Sequence, residues 1–179
     1  VSDLDALAVN LDDEQHEIVD LATRYEIQET LGQGGMGEVV LARDVRLNRQ
    51  VAIKRLTEEL GSSRRAVQRF LTEAQSVAAL NHFNIVQIFD YGRATDGPFI
   101  VMEYVAGGNL DDMLQYGPLE RATAVELLDQ LCQALTATHA QGVVHRDIKP
   151  RNVLMMTEGV PKLTGFELSR QNPDYGIEE

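Results

Sequence analysis

Four glycines fall within six residues at Gly32-Gln33-Gly34-Gly35-Met36-Gly37, and their flanks limit what the chain can become. The run fits G-x-G-x-x-G, a pattern that lets backbone amides approach phosphate oxygens because no Cβ intervenes. Alone it is weak, since a plain hairpin uses the same residues. In a dinucleotide-binding fold such glycines follow a strand and open a helix. Here residues 25–31 alternate loosely like a strand, and Glu38-Val39-Val40-Leu41-Ala42 behind them is β-branched and strand-like too. The glycines therefore sit at a hairpin tip, which argues against the dinucleotide arrangement.

The same texture continues. Val51-Ala52-Ile53-Lys54 reads as a third short strand after a polar turn at residues 46–50. Ser62 or Ser63 caps a helix running to about Leu80, with Val67, Phe70, Leu71, Ala74, Val77 and Ala78 as its apolar stripe. Residues 85–91 and 98–103 are two further strands, parted by a turn at residues 94–97. Five strands and one long helix make an α+β lobe. After Gly107-Gly108 the composition turns helical. Residues 110–116 form a short helix ended by Gly117-Pro118, and residues 120–140 a long one closed by Gly142. Val125, Leu127, Leu128, Leu131 and Leu135 supply the long helix's apolar positions. Small strands follow at residues 143–144, 153–156 and 160–163. Ahead of all this, residues 4–21 read as a short amphipathic helix.

Charge narrows the function classes. The chain carries 28 acids against 16 bases, a net charge of -12, the opposite sign to that expected of a nucleic-acid binder. Residues 1–24 hold seven acids and one arginine, and residues 171–179 three acids, so the 146 residues between carry only -3. Acidity belongs to the ends, read as solvated flanks. No run of 18 apolar residues is present and the start lacks a signal-peptide pattern, so a cytoplasmic protein with no membrane segment is expected. The single cysteine, Cys132, sits among Leu128, Leu131 and Leu135 and reads as a buried, inert thiol.

Lysine is scarce: thirteen arginines, but only Lys54, Lys149 and Lys162. An ammonium is a compact point charge suited to phosphate oxygens. Lys54 closes the third strand, and a carboxylate is needed to position it. Glu73, mid-helix with Phe70 three residues before and Val77 four after, is placed to face inward beside the apolar stripe. The support for that pairing is His145-Arg146-Asp147-Ile148-Lys149-Pro150-Arg151-Asn152. It puts a carboxylate able to accept a hydroxyl proton and a carboxamide able to ligate Mg²⁺ on one short loop. Lys149 can neutralise a transferring phosphate. A lone histidine is more often architectural than catalytic, and His145 is read so, together with Arg146.

With these strings the chain resembles the protein kinases over residues 25–170, and Lys149 resembles the serine/threonine branch. The phrase Leu31-Gly32-Gln33-Gly34-Gly35-Met36-Gly37-Glu38-Val39 is most similar to the bacterial, eukaryotic-like receptor kinases. The resemblance implies a protein-kinase-like α+β fold: an acidic extension at residues 1–24, an N-lobe at 25–104, and a hinge with a partial C-lobe at 105–179. It implies that Gly32, Gly34 and Gly37 cover the phosphates of ATP while Val39 and Ala52 roof the adenine. Lys54 would touch the α- and β-phosphates and pair with Glu73. Met102 would be the gatekeeper, Glu103 and Val105 the hinge, and Leu154 the floor under the base. Asp147 would be the catalytic base, assisted by Lys149, and Asn152 a metal ligand. The partners implied are Mg²⁺, ATP and a protein with Ser or Thr hydroxyls.

Two departures qualify that expectation. Where the family has Asp-Phe-Gly, this chain has Gly165-Phe166-Glu167, and Gly165 has no side chain for a metal. Glu167 is the candidate to reach back in its place. The chain also ends nine residues after Arg170, with no Ala-Pro-Glu and no substrate-binding helices, so a truncated kinase domain is expected, its long helix short of cover. The alternative is an impaired kinase that binds nucleotide or a partner without turnover. Phe83, where the family has Pro, is a smaller departure with no assigned role.

Overall fold

The computed structural model describes residues 18–34, 37–166 and 170–171, the side chains of Glu73, Arg170 and Gln171 excepted. Five strands form an antiparallel sheet: β1 (Tyr25–Gly34), β2 (Gly37–Asp44), β3 (Arg49–Leu56), β4 (Ile88–Ala94) and β5 (Gly97–Glu103). They lie in the order β1-β2-β3-β5-β4. The glycine run is a hairpin tip, as expected: Gly34 stands opposite Gly37 in the β1–β2 register. Gly37 also passes so close to the Arg55 carbonyl that any Cβ there would overlap it. Register shifts at Ile27/Glu29 and Thr30/Gly32 mark bulges that bend β1 over its neighbours.

The β2–β3 turn is held by one buried carboxylate. Asp44 accepts from the amides of Arg46 at 3.0 Å and Leu47 at 3.1 Å, and its other oxygen takes Arg24 Nη2 at 3.0 Å. Burial alone would push the Asp44 carboxyl up, but Arg24 and the two amides outweigh it and hold it below its usual range. That turn sets the β3 register, which puts Lys54 opposite Val39 on one side and Ile100 on the other.

Both faces of β5 are covered, so it reads as a nearly unbroken apolar run. Phe99 and Val101 join Tyr25, Val40, Val51 and Ile53 on one face. Ile100, with Met102 beside it, meets Phe70 and Ala74 of α2 (Arg64–Ala78) on the other. Ser63 caps α2 by accepting from the Ala66 amide. The helix stops at Ala78, two residues short of the expected end, and a separate turn, α1 (Glu58–Gly61), precedes it. The stripe on α2 is the expected one: Val67, Phe70, Ala74 and Val77 are buried.

The strand expected at residues 85–91 is displaced to Ile88–Ala94. Ile85 and Val86 are both buried, but they pair elsewhere. Ile85 bridges Leu163, and the Val86 amide donates to the Leu163 carbonyl at 3.0 Å. Apolar content marked them as strand-like without saying which partner they would take. The described end of the first expected helix, residues 18–21, is not α-helical: Val19 bridges Ala94 and Leu21 opens a 3-10 turn. The rest of that expectation, and Glu167, lie outside the described residues.

The second half holds α3 (Leu110–Leu114), α4 (Arg121–Ala140), β6 (Val143–Val144), β7 (Val153–Met155), β8 (Pro161–Leu163) and β9 (Arg170–Gln171). Leu127, Leu131 and Ala134 of α4 pack with Val77, Leu80, Ile85, Val153, Leu163 and Phe166 in one cluster. Thr138 continues that stripe and is fully buried. Val125 and Leu128 do not belong to it, being 60% and 57% exposed. Cys132 is exposed too, which corrects the expectation of a buried thiol. Residues 125, 128 and 132 are spaced three and four apart and share a second face of α4. Helical spacing alone could not tell which apolar stripe the core would claim.

Candidate active site

The sheet and the helical half meet at a cleft, and of the expected residues Lys54 and Met102 line its cavity. Lys54, half-buried on β3, borders a small cavity of about 40 Å³ with Ala74, Val77, Met102, Gly165 and Phe166. Glu73 stands on α2 between buried Phe70 and Ala74, but its inward carboxylate and the pairing with Lys54 fall outside the described side chains. Val39 is opposite Lys54 and Ala52 opposite Met102, which puts these four on the face of the sheet that carries Ile100, away from Val51 and Ile53. The Glu103 amide donates to the Gln87 carbonyl at 2.8 Å, which leaves its carbonyl as what it can offer a base. Gly32 and Gly34 border open space.

Beyond Val105 the chain drops onto β7. The Met155 amide donates to the Gly108 carbonyl at 2.9 Å, and Asn109 bridges Leu154. Gly107 lies so close to the Met155 carbonyl that a Cβ would overlap it. A side chain at 107 would force this segment off its floor, so glycine is required there by space alone. Leu154 is thereby held beside residues 107–109.

The loop at residues 145–152 is self-braced. The His145 ring is buried; its Nδ1 accepts from the Asp147 amide at 3.2 Å, so Nε2 carries the proton and donates to the Thr164 carbonyl at 2.7 Å. Burial holds this imidazole below its usual range, with the Thr164 carbonyl and Asp147 acting the other way. Its ring lies 4.4 Å from that of Phe166. His145 is thus architectural, tying the loop to the segment after β8. Arg146 takes a left-handed backbone, φ 68°, a turn that redirects the chain ahead of Asp147.

Asp147 is the focus of the loop. Its Oδ2 is 2.7 Å from Lys149 Nζ and accepts from Asn152 Nδ2 at 2.9 Å. Asn152 Nδ2 also donates to the Asp147 carbonyl at 2.8 Å. Lys149 is the main cause, with Asn152 helping, of an Asp147 carboxyl held below its usual range, so it is ionised at neutral pH. With Nδ2 so engaged, Asn152 has only Oδ1 to offer a cation.

Gly165 faces Asn152. Its φ is +77°, and a Cβ there would overlap the Asn152 carboxamide. Asn152 therefore occupies volume that a side chain at 165 would need. Lys54, Gly165, Asn152 and Asp147 form one contiguous path across the cleft.

This path can be set beside known proteins. Residues 25–176 match the family described as the protein kinase domain. The chain belongs to the protein kinase family. It is 44% identical over 161 residues to the serine/threonine-protein kinase PknB of Mycobacterium tuberculosis, a match covering 87% of this chain and 26% of that protein. To PksC, a serine/threonine-protein kinase of Streptomyces coelicolor, it is 46% identical over 152 residues, covering 80% of this chain and 27% of that one. The chain therefore spans about a quarter of the length of these relatives. In kinase terms the antiparallel sheet with α2 is the N-lobe, and α3 onward is part of the C-lobe. Among the described residues no helix is long and apolar enough to cross a membrane.

One residue outside the motifs above is drawn into the frame of the cleft. Lys162 on β8 is buried against Glu103, the residue that ends β5. Its only advance signal was the scarcity of lysine.

Proposed function

We propose that this chain carries the ATP-binding and catalytic-loop part of a serine/threonine protein kinase, which transfers the γ-phosphoryl of Mg-ATP to a protein Ser or Thr hydroxyl. The observation that carries the reading is the Asp147 carboxylate, ionised and aimed by Lys149 and Asn152 in a cleft that also presents Lys54. The glycine hairpin and Lys54 bind and orient the triphosphate. Val39, Ala52 and Leu154 enclose the base, which the Glu103 carbonyl and the Val105 backbone recognise, with Met102 behind. Asp147 orients the acceptor hydroxyl and takes its proton as the new oxygen–phosphorus bond forms and the bond to the departing ADP breaks. A carboxylate with a lowered pKa is a weak base, so its main contribution is orientation, with proton uptake late. Lys149 offsets charge on the moving phosphoryl group.

The donor set fits a divalent ion only in part. Asn152 Oδ1 is one neutral oxygen beside Gly165, whereas Gly165 supplies none. A hard cation such as Mg²⁺ binds with one or two protein oxygens when phosphates provide the rest, and Asn152 would be its ligand here. Bound there, the ion would neutralise phosphate charge.

Gly165 also favours a second reading, a nucleotide-binding module with little turnover. The family match and the serine/threonine kinase relatives favour the first. Phosphate incorporation into a generic protein substrate separates them: the native chain should show slow transfer that vanishes in Asp147→Asn and Lys54→Ala. No transfer above those two variants establishes the binding module instead.

A further inference from the structure

Lys54 and Lys149 serve the phosphoryl-transfer reading; Lys162 does not. It is nevertheless the buried one, with a side chain only 7% exposed. An enclosed ammonium is costly unless acceptors surround it. Lys162 Nζ has two, Glu103 Oε2 at 3.0 Å and the Phe83 carbonyl at 2.7 Å, and the Phe83 ring centroid lies 5.0 Å away. The Glu103 carboxylate in turn accepts from the Gln87 amide at 3.3 Å, and the Glu103 amide donates to the Gln87 carbonyl.

One ammonium thus joins three pieces of chain. The first is the segment at residues 83–87, the second the end of β5, and the third β8, three residues before Gly165. The first and third are also stitched directly, by the Leu163 amide to the Asn84 carbonyl at 2.7 Å and Asn84 Nδ2 to the Pro161 carbonyl at 2.9 Å. Lys162 lies outside the lining of the Lys54 cavity. Whatever it does for a nucleotide it does through Glu103.

We propose that Lys162 is a positioning residue for adenine recognition: its ion pair with Glu103 sets where the hinge backbone meets the base, and β8 couples that edge to residues 164–166. The inference rests on the kinase reading of the cleft. It gives Phe83 a use as well, as a carbonyl acceptor and a ring over the ammonium.

Titrating the full chain with MgATP and with MgGTP tests it. Lys162→Met should weaken ATP binding about tenfold, since small misplacements of a binding group are expensive. It should also reduce the preference for ATP over GTP, a ratio that a loss of stability alone would not move. The double variant Glu103→Gln, Lys162→Met removes both charges and serves where the single variant fails to fold; its preference should stay reduced. A double variant with native preference overturns the proposal, because the pair then serves stability only. So does a native chain that holds the two nucleotides equally. Native binding with Lys162→Met unaltered overturns this inference alone, whereas a native chain that binds neither nucleotide overturns the kinase reading with it.

Discussion

The two ends of the cleft are built to different standards. At the base end, residues 103–108 are tied on three sides: to Gln87 by paired backbone and side-chain bonds, to Lys162 by an enclosed ion pair, and to β7 through Gly108. At the phosphate end, Asp147, Lys149 and Asn152 bond chiefly to one another, and the neighbouring position is a glycine into whose space Asn152 leans. On the function proposed above, the difference teaches that nucleotide recognition and phosphoryl transfer are separable. The first rests on contacts between distant segments. The second rests on one loop, with a carboxylate missing beside it.

The largest break in that comparison is Asp147→Asn. Transfer to a protein substrate should fall about 10³-fold, within the range for a general base, while MgATP affinity in a direct titration stays native. A parallel loss of affinity would show that the two ends are not separable. Gly165→Asp sharpens the comparison from the other side. It should raise turnover about 10²-fold, the scale of one restored electrostatic stabiliser, and make ATP binding more dependent on Mg²⁺. Asn152 must swing off Asp147 to admit the new side chain, and a left-handed backbone at a non-glycine costs about 1 kcal/mol, so the melting temperature should drop slightly. An unchanged rate would mean that the Asn152–Asp147 bond does not yield.

Lys54→Ala and Glu73→Ala should each weaken ATP about tenfold, as expected for loss of a charged hydrogen bond. A Glu73→Ala chain with native affinity would refute the pairing. The smallest effect is a pH dependence centred on His145. Its folded value is lowered, so between the unfolded value near 6.5 and the folded one the unfolded chain binds more protons. Stability from this group is complete above that window and drains away as pH falls through it, by at most about 1.4 kcal/mol per pH unit. Melting curves from pH 7.5 to 5.5 should therefore be flatter in His145→Asn than in the native chain.

How much of this was legible beforehand depended on how local the signal was. The glycine hairpin, the Ser63 cap and the loop from His145 to Asn152 are set by neighbours in sequence, and they could be read there. The α+β fold followed from counting strand-like and helical stretches. Partner choice was the part that could not be read. Ile85 and Val86 look like the start of a strand but join β8, because burial beside α2 and β8 rewards them more than extending β4 would. Val125 and Leu128 compete with Leu127 and Leu131 for the core at equally good helical spacing, and only packing decides. No local pattern gives Lys162 a role, since its acceptors lie 59 and 79 residues away in sequence.

The outward face of α4 has a practical consequence. Its thiol is the chain's single cysteine, and it is open to solvent beside Val125 and Leu128. A maleimide dye or nitroxide would therefore attach at Cys132 alone, with no background from other thiols. It would sit on the far side of the helix from Leu127 and Leu131, clear of the nucleotide cleft. Such a label would report, by quenching or by line shape, any surface that comes to lie against this helix.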